Sequence, residues 1–368
     1  MMFHIYYVPI SIPYSNLEYL PKKRWKLLPG LWFEKTPQKL KKVLEKKNSK
    51  VDSFFKLYNA NYAIRIDVNQ YNESLAKRIL KANEISSDSE KQFASNLLSQ
   101  PKVKYHYENQ KDTPEYSFPD PQDMAKLVLI SFCFQKVIPF SKGNVYRFSE
   151  KRENTNIVYS GGYMATNRQP IENISHRHLY AASLAEGTFN KKKFILTIHT
   201  LERYFRPYHY FVDRVAFALK YLWNAITSPF PDQIFLNMTI VLECLLSTKP
   251  MEVTHTLSER AAVMLGKSQT ERLEIYQNIK KLYNLRSSIV HGRGEGKKKG
   301  IITYDSYHIS PKNSQIPINE IEKLARIVFR LIQVTIEDKN LLALIQTLKK
   351  EDKINKDLDK YYLTRIFR

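Results

Sequence analysis

Residues Leu282–Gly292 read LYNLRSSIVHG, and they put an arginine where a hydrophobe belongs. Read as a helix, Ile275, Ile279, Leu282 and Ile289 fall on one face at three- and four-residue steps. At about 100° per residue, Arg286 lies near the middle of that face. A buried charge without a partner costs several kcal/mol, so chance explains this position poorly. The whole run SQTERLEIYQNIKKLYNLRSSIVHG reads as a single helix, closed by His291 and Gly292.

An upstream helix, DQIFLNMTIVLECLLST, repeats the puzzle with opposite sign. Glu243 is the only charge for several residues either way, and Leu236, Ile240 and Leu246 lie close to it around the helix. The simplest physics pairs the two, because arginine can hold a carboxylate in fork geometry and each removes the other's burial penalty. Two roles are then open. The pair can be a buried salt bridge that sets helix register, or Glu243 can orient Arg286 toward a site where negative charge develops. His291 is either a favourable cation at a helix C-terminus or a ring aimed into a cleft. In the loop GRGEGKKKG that follows, four of the chain's 10 glycines accompany Arg293, Lys297, Lys298 and Lys299. A nucleotide-binding glycine loop sits between a strand and a helix, whereas this one follows a helix. It reads instead as a clamp on a phosphate backbone, with a solvated charge run as the plainer alternative.

Charge over the whole chain points the same way. Lys and Arg number 58 against 36 Asp and Glu, a formal net charge of +22. Such an excess favours a polyanionic partner, most commonly nucleic acid, over a merely lysine-rich surface. With 43% hydrophobic and 12% aromatic residues the chain is not a disordered one, and 368 residues suffice for about two domains. Cys133 and Cys244 sit in apolar contexts, as reduced thiols do, and cannot form a cysteine zinc site. MMFHIYYVPISIPYS lacks the basic start and long apolar core of a signal peptide. No apolar run reaches the roughly 18 residues of a membrane helix. A cytoplasmic protein without membrane attachment is expected.

The pattern divides the chain into a mixed α/β N-terminal domain, residues 1–188, and a helical bundle, residues 189–368, so the class is α+β. In the first, FHIYYVPISI, YAIRIDV, AKLVLISFCFQKVIPF, NVYRFSE and NIVYSGGY read as strands. TPQKLKKVLEKKNSKVDSFFKLYNA and ESLAKRILKANEI read as helices, and residues 104–123 as a loop. This half offers no metal spacing, nucleophile elbow or P-loop. In the second, FVDRVAFALKYLWNAI, DQIFLNMTIVLECLLST, LSERAAVMLG with Gly266 as its cap, and the long helix already described precede a fifth. The fifth opens on a capping-box signature, Asn319 and Glu322.

LSERAAVMLG through LYNLRSSIVHG resembles the ApeA-like branch of the HEPN domains, over residues 195–350 or so. Arg286, Ser287 and His291 match that family's Arg-x4-His form, Glu243 matches the acidic residue of the upstream helix, and Ser258, Glu259 and Arg260 match its Ser-Glu-Arg element. The resemblance implies a metal-independent endoribonuclease needing no cofactor, a toxin or effector in bacterial defence against phage. It also implies a homodimer through the HEPN domain. His291 would serve as general base on a ribose 2′-OH or general acid on the leaving 5′-oxygen. Arg286 would stabilise the charge on pentacoordinate phosphorus, Glu243 would orient Arg286, and Ser287 would position the phosphate. The substrate would be RNA, with transfer RNA suggested by analogy alone. The N-terminal half is expected to sense a phage-derived trigger or capture substrate. The alternative is a non-catalytic HEPN module for RNA binding or protein assembly.

Overall fold

The computed structural model describes residues 5–11, 20–38, 62–81, 88–99, 121–134, 141–142, 145–149, 152–159, 189–205, 214–228, 231–248, 253–290, 318–346 and 351–366. They fall into two units of an α+β protein. Residues Phe189–Tyr208 belong to the first unit, so the helical segment that opens the sequence-read bundle is built into the sheet domain.

Among the described residues the first unit is built on a seven-stranded sheet in the order β2-β3-β4-β1-β6-β7, with β5 also on β1. Its strands are β1 (Ile5–Ser11), β2 (Arg24–Leu28), β3 (Leu31–Lys35), β4 (Tyr62–Asp67), β5 (Ser141–Lys142), β6 (Val145–Ser149) and β7 (Arg152–Tyr159). Every pairing is antiparallel. The register sets Phe33 opposite Ile64, and Ile64 opposite Val8, in one buried row. The helices are α1 (Val68–Lys81), α2 (Asp88–Ser99), α3 (Pro121–Cys133) and α4 (Lys191–Leu201). Aromatic rings tie α3 and α4 to the sheet: Phe132 meets Phe33 edge-on at 5.0 Å and stacks on Phe194 at 4.3 Å.

Four of the strands expected from sequence form, and ESLAKRILK lies within α1. Two outcomes differ from the reading. AKLVLISFCF is helical, not a strand. Met124, Leu127, Val128, Leu129, Ile130 and Phe132 are all fully buried, so the segment is apolar on every side and shows neither period. Its helical signals are local: Pro121 in the first turn, an Asp123–Lys126 pair at 2.8 Å and a Ser131 hydroxyl donating to the Leu127 carbonyl at 2.7 Å. The hairpin β2–β3 is the second difference, because its sequence shows no strand alternation. Adjacent Leu27 and Leu28 are both buried at a register shift, which spoils the alternation. Gly30 turns the hairpin with φ 82°, and a Cβ there would come within 2.7 Å of the Asp67 carbonyl. The helix expected over residues 36–60 lies almost wholly outside the described residues.

The second unit is helical: α5 (Arg214–Thr227), α6 (Pro231–Leu246), α7 (Val253–Leu265), α8 (Gln269–Val290), α9 (Ile318–Glu337), α10 (Lys339–Gln346) and α11 (Glu351–Ile366). α6 packs against α5, α7, α8 and α9, which suits its nearly all-apolar sequence. Gly266 ends α7, its N–H reaching the Ala262 carbonyl at 2.9 Å. Ser268 then starts α8 by accepting the Glu271 N–H at 3.2 Å. α9 begins at Ile318, so Asn319 stands inside its first turn, not ahead of it.

The C-terminal end of α6 is held by side chains. Tyr362 donates to the Leu245 carbonyl at 3.1 Å, Arg260 to that of Leu246 at 2.5 Å, and Arg214 to that of Ser247. These carbonyls have no partner within the helix, and two guanidinium groups complement the negative end of its dipole.

Candidate functional site

On α8 the stripe Ile275, Ile279 and Leu282 is buried. Beyond Leu282 the helix leaves the core: Arg286 and Ile289 are half-buried and Val290 is 51% exposed. α6 behaves likewise, with Leu236, Ile240 and Glu243 half-buried while Leu242 and Leu245 are covered. The two charges therefore lie where the apolar faces of α6 and α8 open, at side-chain exposures of 29% for Arg286 and 27% for Glu243.

Glu243 and Arg286 do meet, but not in a fork. The Arg286 Nη2 stands 3.6 Å from Glu243 Oε1, an ion pair without a hydrogen bond. The tight partner of Glu243 is Tyr283, whose hydroxyl donates to the same Oε1 at 2.7 Å. The Arg286 guanidinium carbon lies 5.5 Å from the Tyr283 ring centroid. Burial first, and then the Glu243 carboxylate, push the Tyr283 hydroxyl up to about 12, so it remains a proton donor at neutral pH. Arg286 Nε is buried without a hydrogen-bond partner among the described residues.

The chemistry of this cluster is that of a held cation. A phenol fixes the carboxylate, the carboxylate attracts the guanidinium, and the guanidinium's planar set of N–H donors is left for another acceptor. A phosphate oxygen matches that demand in charge and geometry.

Ser287 is half-buried next to Arg286 on α8. His291, Arg293, Lys297, Lys298 and Lys299 lie outside the described residues. Ser258 and Arg260 serve the framework of α7. Ser258 is fully buried and donates to the Thr254 carbonyl at 2.7 Å. Arg260 caps α6, pairs with Asp359 at 2.5 Å and lies over the Tyr362 ring. It thus holds the end of the helix that carries Glu243. Tyr283 is absent from the sequence reading, although its spacing three residues before Arg286 puts it on the same helix face.

Cys133 is buried and Cys244 half-buried, both free. Burial pushes their thiols up to about 12 and about 11, so both stay protonated. Among the described residues no group of three His, Cys, Asp or Glu side chains could hold a metal ion, and no helix is long and apolar enough to cross a membrane. No family model matches the chain, and no curated protein or solved structure does.

Proposed function

We propose that the chain is a metal-independent endoribonuclease of the HEPN type, acting as an effector in bacterial anti-phage defence. The observation that carries this reading is the convergence of Glu243, Tyr283 and Arg286 on α6 and α8, with Arg286 five residues ahead of His291 in the sequence. In the proposed reaction a ribose 2′-oxygen attacks the adjacent phosphorus and the bond to the 5′-oxygen breaks. The 2′-OH proton leaves to a base and the 5′-oxygen gains one, and His291 supplies one of these two transfers. Arg286 neutralises the charge that builds on the phosphoryl oxygens. Glu243, steadied by Tyr283, positions Arg286 without consuming its N–H donors. The products are a 2′,3′-cyclic phosphate and a 5′-hydroxyl, and DNA resists.

The purified chain, incubated with labelled total RNA in EDTA, is expected to cleave it and leave cyclic phosphate ends. Arg286→Ala and His291→Ala are each expected to lose about 100-fold or more in rate. Cleavage by both variants at the wild-type rate would remove the assigned site. Folded wild-type protein that binds RNA and cuts none would favour the non-catalytic module.

A further inference from the structure

In the first unit β4 carries a cation on the face of the sheet opposite to Phe33, Ile64 and Val8. Directly opposed residues of paired strands share a face. The register sets Arg65 between Trp32 on β3 and Tyr7 on β1, and it sets Lys26 of the edge strand β2 opposite Trp32. In the neighbouring row of the same face Arg24 stands opposite Glu34. Lys26 and Arg24 are exposed, Glu34 and Trp32 are buried, and Arg65 is half-buried between these extremes.

The Arg65 guanidinium carbon lies 4.7 Å from the centroid of the Trp32 ring. Its Nε is buried without a partner, and among the described residues the group makes no hydrogen bond or ion pair. A buried donor left unsatisfied is costly, and a native fold that keeps one calls for an explanation. Glu34 is not the missing partner. Its carboxylate stands 3.9 Å from Arg24, too far for a hydrogen bond, and feels Arg65 only through space. Burial pushes Glu34 up by more than Arg65 and Arg24 pull it down, so neither guanidinium is committed to it. Trp32 thus occupies a face of the Arg65 guanidinium and leaves the N–H edge to an acceptor from outside.

Charge and enclosure narrow the acceptor. Arg65, Arg24 and Lys26 face a single carboxylate, Glu34, so the excess is positive and suits a group with more than one negative charge. One half-buried guanidinium beside a buried ring takes one group, whereas a nucleic-acid backbone needs a row of exposed cations. The planar N–H fork matches the paired oxygens of a phosphate. We infer that Arg65, seated on Trp32, binds the terminal phosphate of a phosphomonoester, with Arg24 and Lys26 adding charge. This site is independent of the ribonuclease reading, which concerns Arg286 in the second unit.

The test is isothermal titration of the full chain with adenosine 5′-monophosphate, inorganic phosphate, succinate and adenosine at millimolar concentration and low salt. Every protein carries Arg286→Ala, so that the guanidinium of the second unit does not contribute. The two phosphates are expected to bind, and succinate and adenosine to bind at least about tenfold more weakly or not at all. Arg65→Gln is expected to weaken phosphate binding at least about tenfold, and Arg65→Lys, which keeps the charge without the fork, nearly as much. Arg65 makes no hydrogen bond within the fold, so both variants are expected to keep the parent's urea midpoint. Arg24→Gln with Lys26→Gln, which leaves Arg65 in place, is expected to weaken binding by several-fold. Lys339→Gln, an equal charge change to Arg65→Gln but in the second unit, is expected to leave affinity unchanged. Absence of phosphate binding, parental affinity in both Arg65 variants, or an equal loss in Lys339→Gln would each overturn the inference. So would succinate binding as tightly as phosphate, which would make this a carboxylate site. A 2′-O-methyl RNA with a 5′-phosphate, compared with its 5′-hydroxyl form, separates the two sources of such a group. An Arg65-dependent preference for the former places the phosphomonoester on an RNA end, and equal binding of the two places it on a small molecule; either supports the site.

Discussion

Arg286 is tolerated on an apolar stripe because the stripe ends before it does. Burial falls away after Leu282, so the guanidinium keeps some water and needs only a loose counter-charge. For an ion pair this exposed, the contribution to stability is about 1 kcal/mol or less. Tyr283 makes the stronger bond, and its titration gives a pH signature. Its pKa in the fold, about 12, lies above the ordinary value of 10. The fold prefers the neutral phenol, so the stabilisation is complete below pH 10 and is lost as pH rises toward 12. Tyr283→Phe is therefore expected to cost about 1 kcal/mol at pH 8, with its deficit against wild type shrinking between pH 10 and 12. Urea midpoints across that range provide the check; a deficit that stayed constant with pH would mean the hydroxyl does not donate to Glu243.

Among the elements, α3 and α6 teach opposite lessons about apolar sequence. Both are apolar on nearly all sides; α6 packs against four helices, and α3 meets β3 and α4 through Phe132. At 16 and 13 residues both exceed the roughly four to eight usual for a strand, but in α3 the β-branched and aromatic run LVLISFC imitates a buried strand. α6 also depends on other elements for its last carbonyls. Arg260, with 10% side-chain exposure, serves the Leu246 carbonyl, Asp359 and the Tyr362 ring together. Arg260→Ala is expected to cost about 2 kcal/mol, because it takes a guanidinium from the Leu246 carbonyl and from Asp359, which keeps the Thr248 hydroxyl at 2.6 Å. Thermal denaturation measures the loss. A change under about 0.5 kcal/mol, the range of ordinary surface substitutions, would show that water replaces the guanidinium freely.

On the scale of the whole molecule, each unit has its own core and its own polar clamp. In the first, Glu202 is 1% exposed and takes two bonds from Arg78, at 2.7 and 2.8 Å, and one from Tyr71 at 2.5 Å. In the second, Arg260 plays the corresponding part for α6 and α11. The clamps share no residue, so the losses from Glu202→Ala and Arg260→Ala are expected to add to within about 0.5 kcal/mol in the double variant. Chemical denaturation of the four proteins tests this, and a larger discrepancy would mean the two clamps are energetically coupled. The amino-acid sequence by itself determined the division into a mixed half and a helical half, the positions of α5 to α9, and the two anomalous charges on α6 and α8. These are matters of local period and composition, which a chain carries before it folds. Only the tertiary structure decided that α3 is a helix, that Phe189–Tyr208 complete the sheet domain, and that Tyr283, not Arg286, makes the close bond to Glu243. Each of these depends on which surfaces meet and how far a side chain stands from water, and residues distant in sequence acquire those relations only through packing.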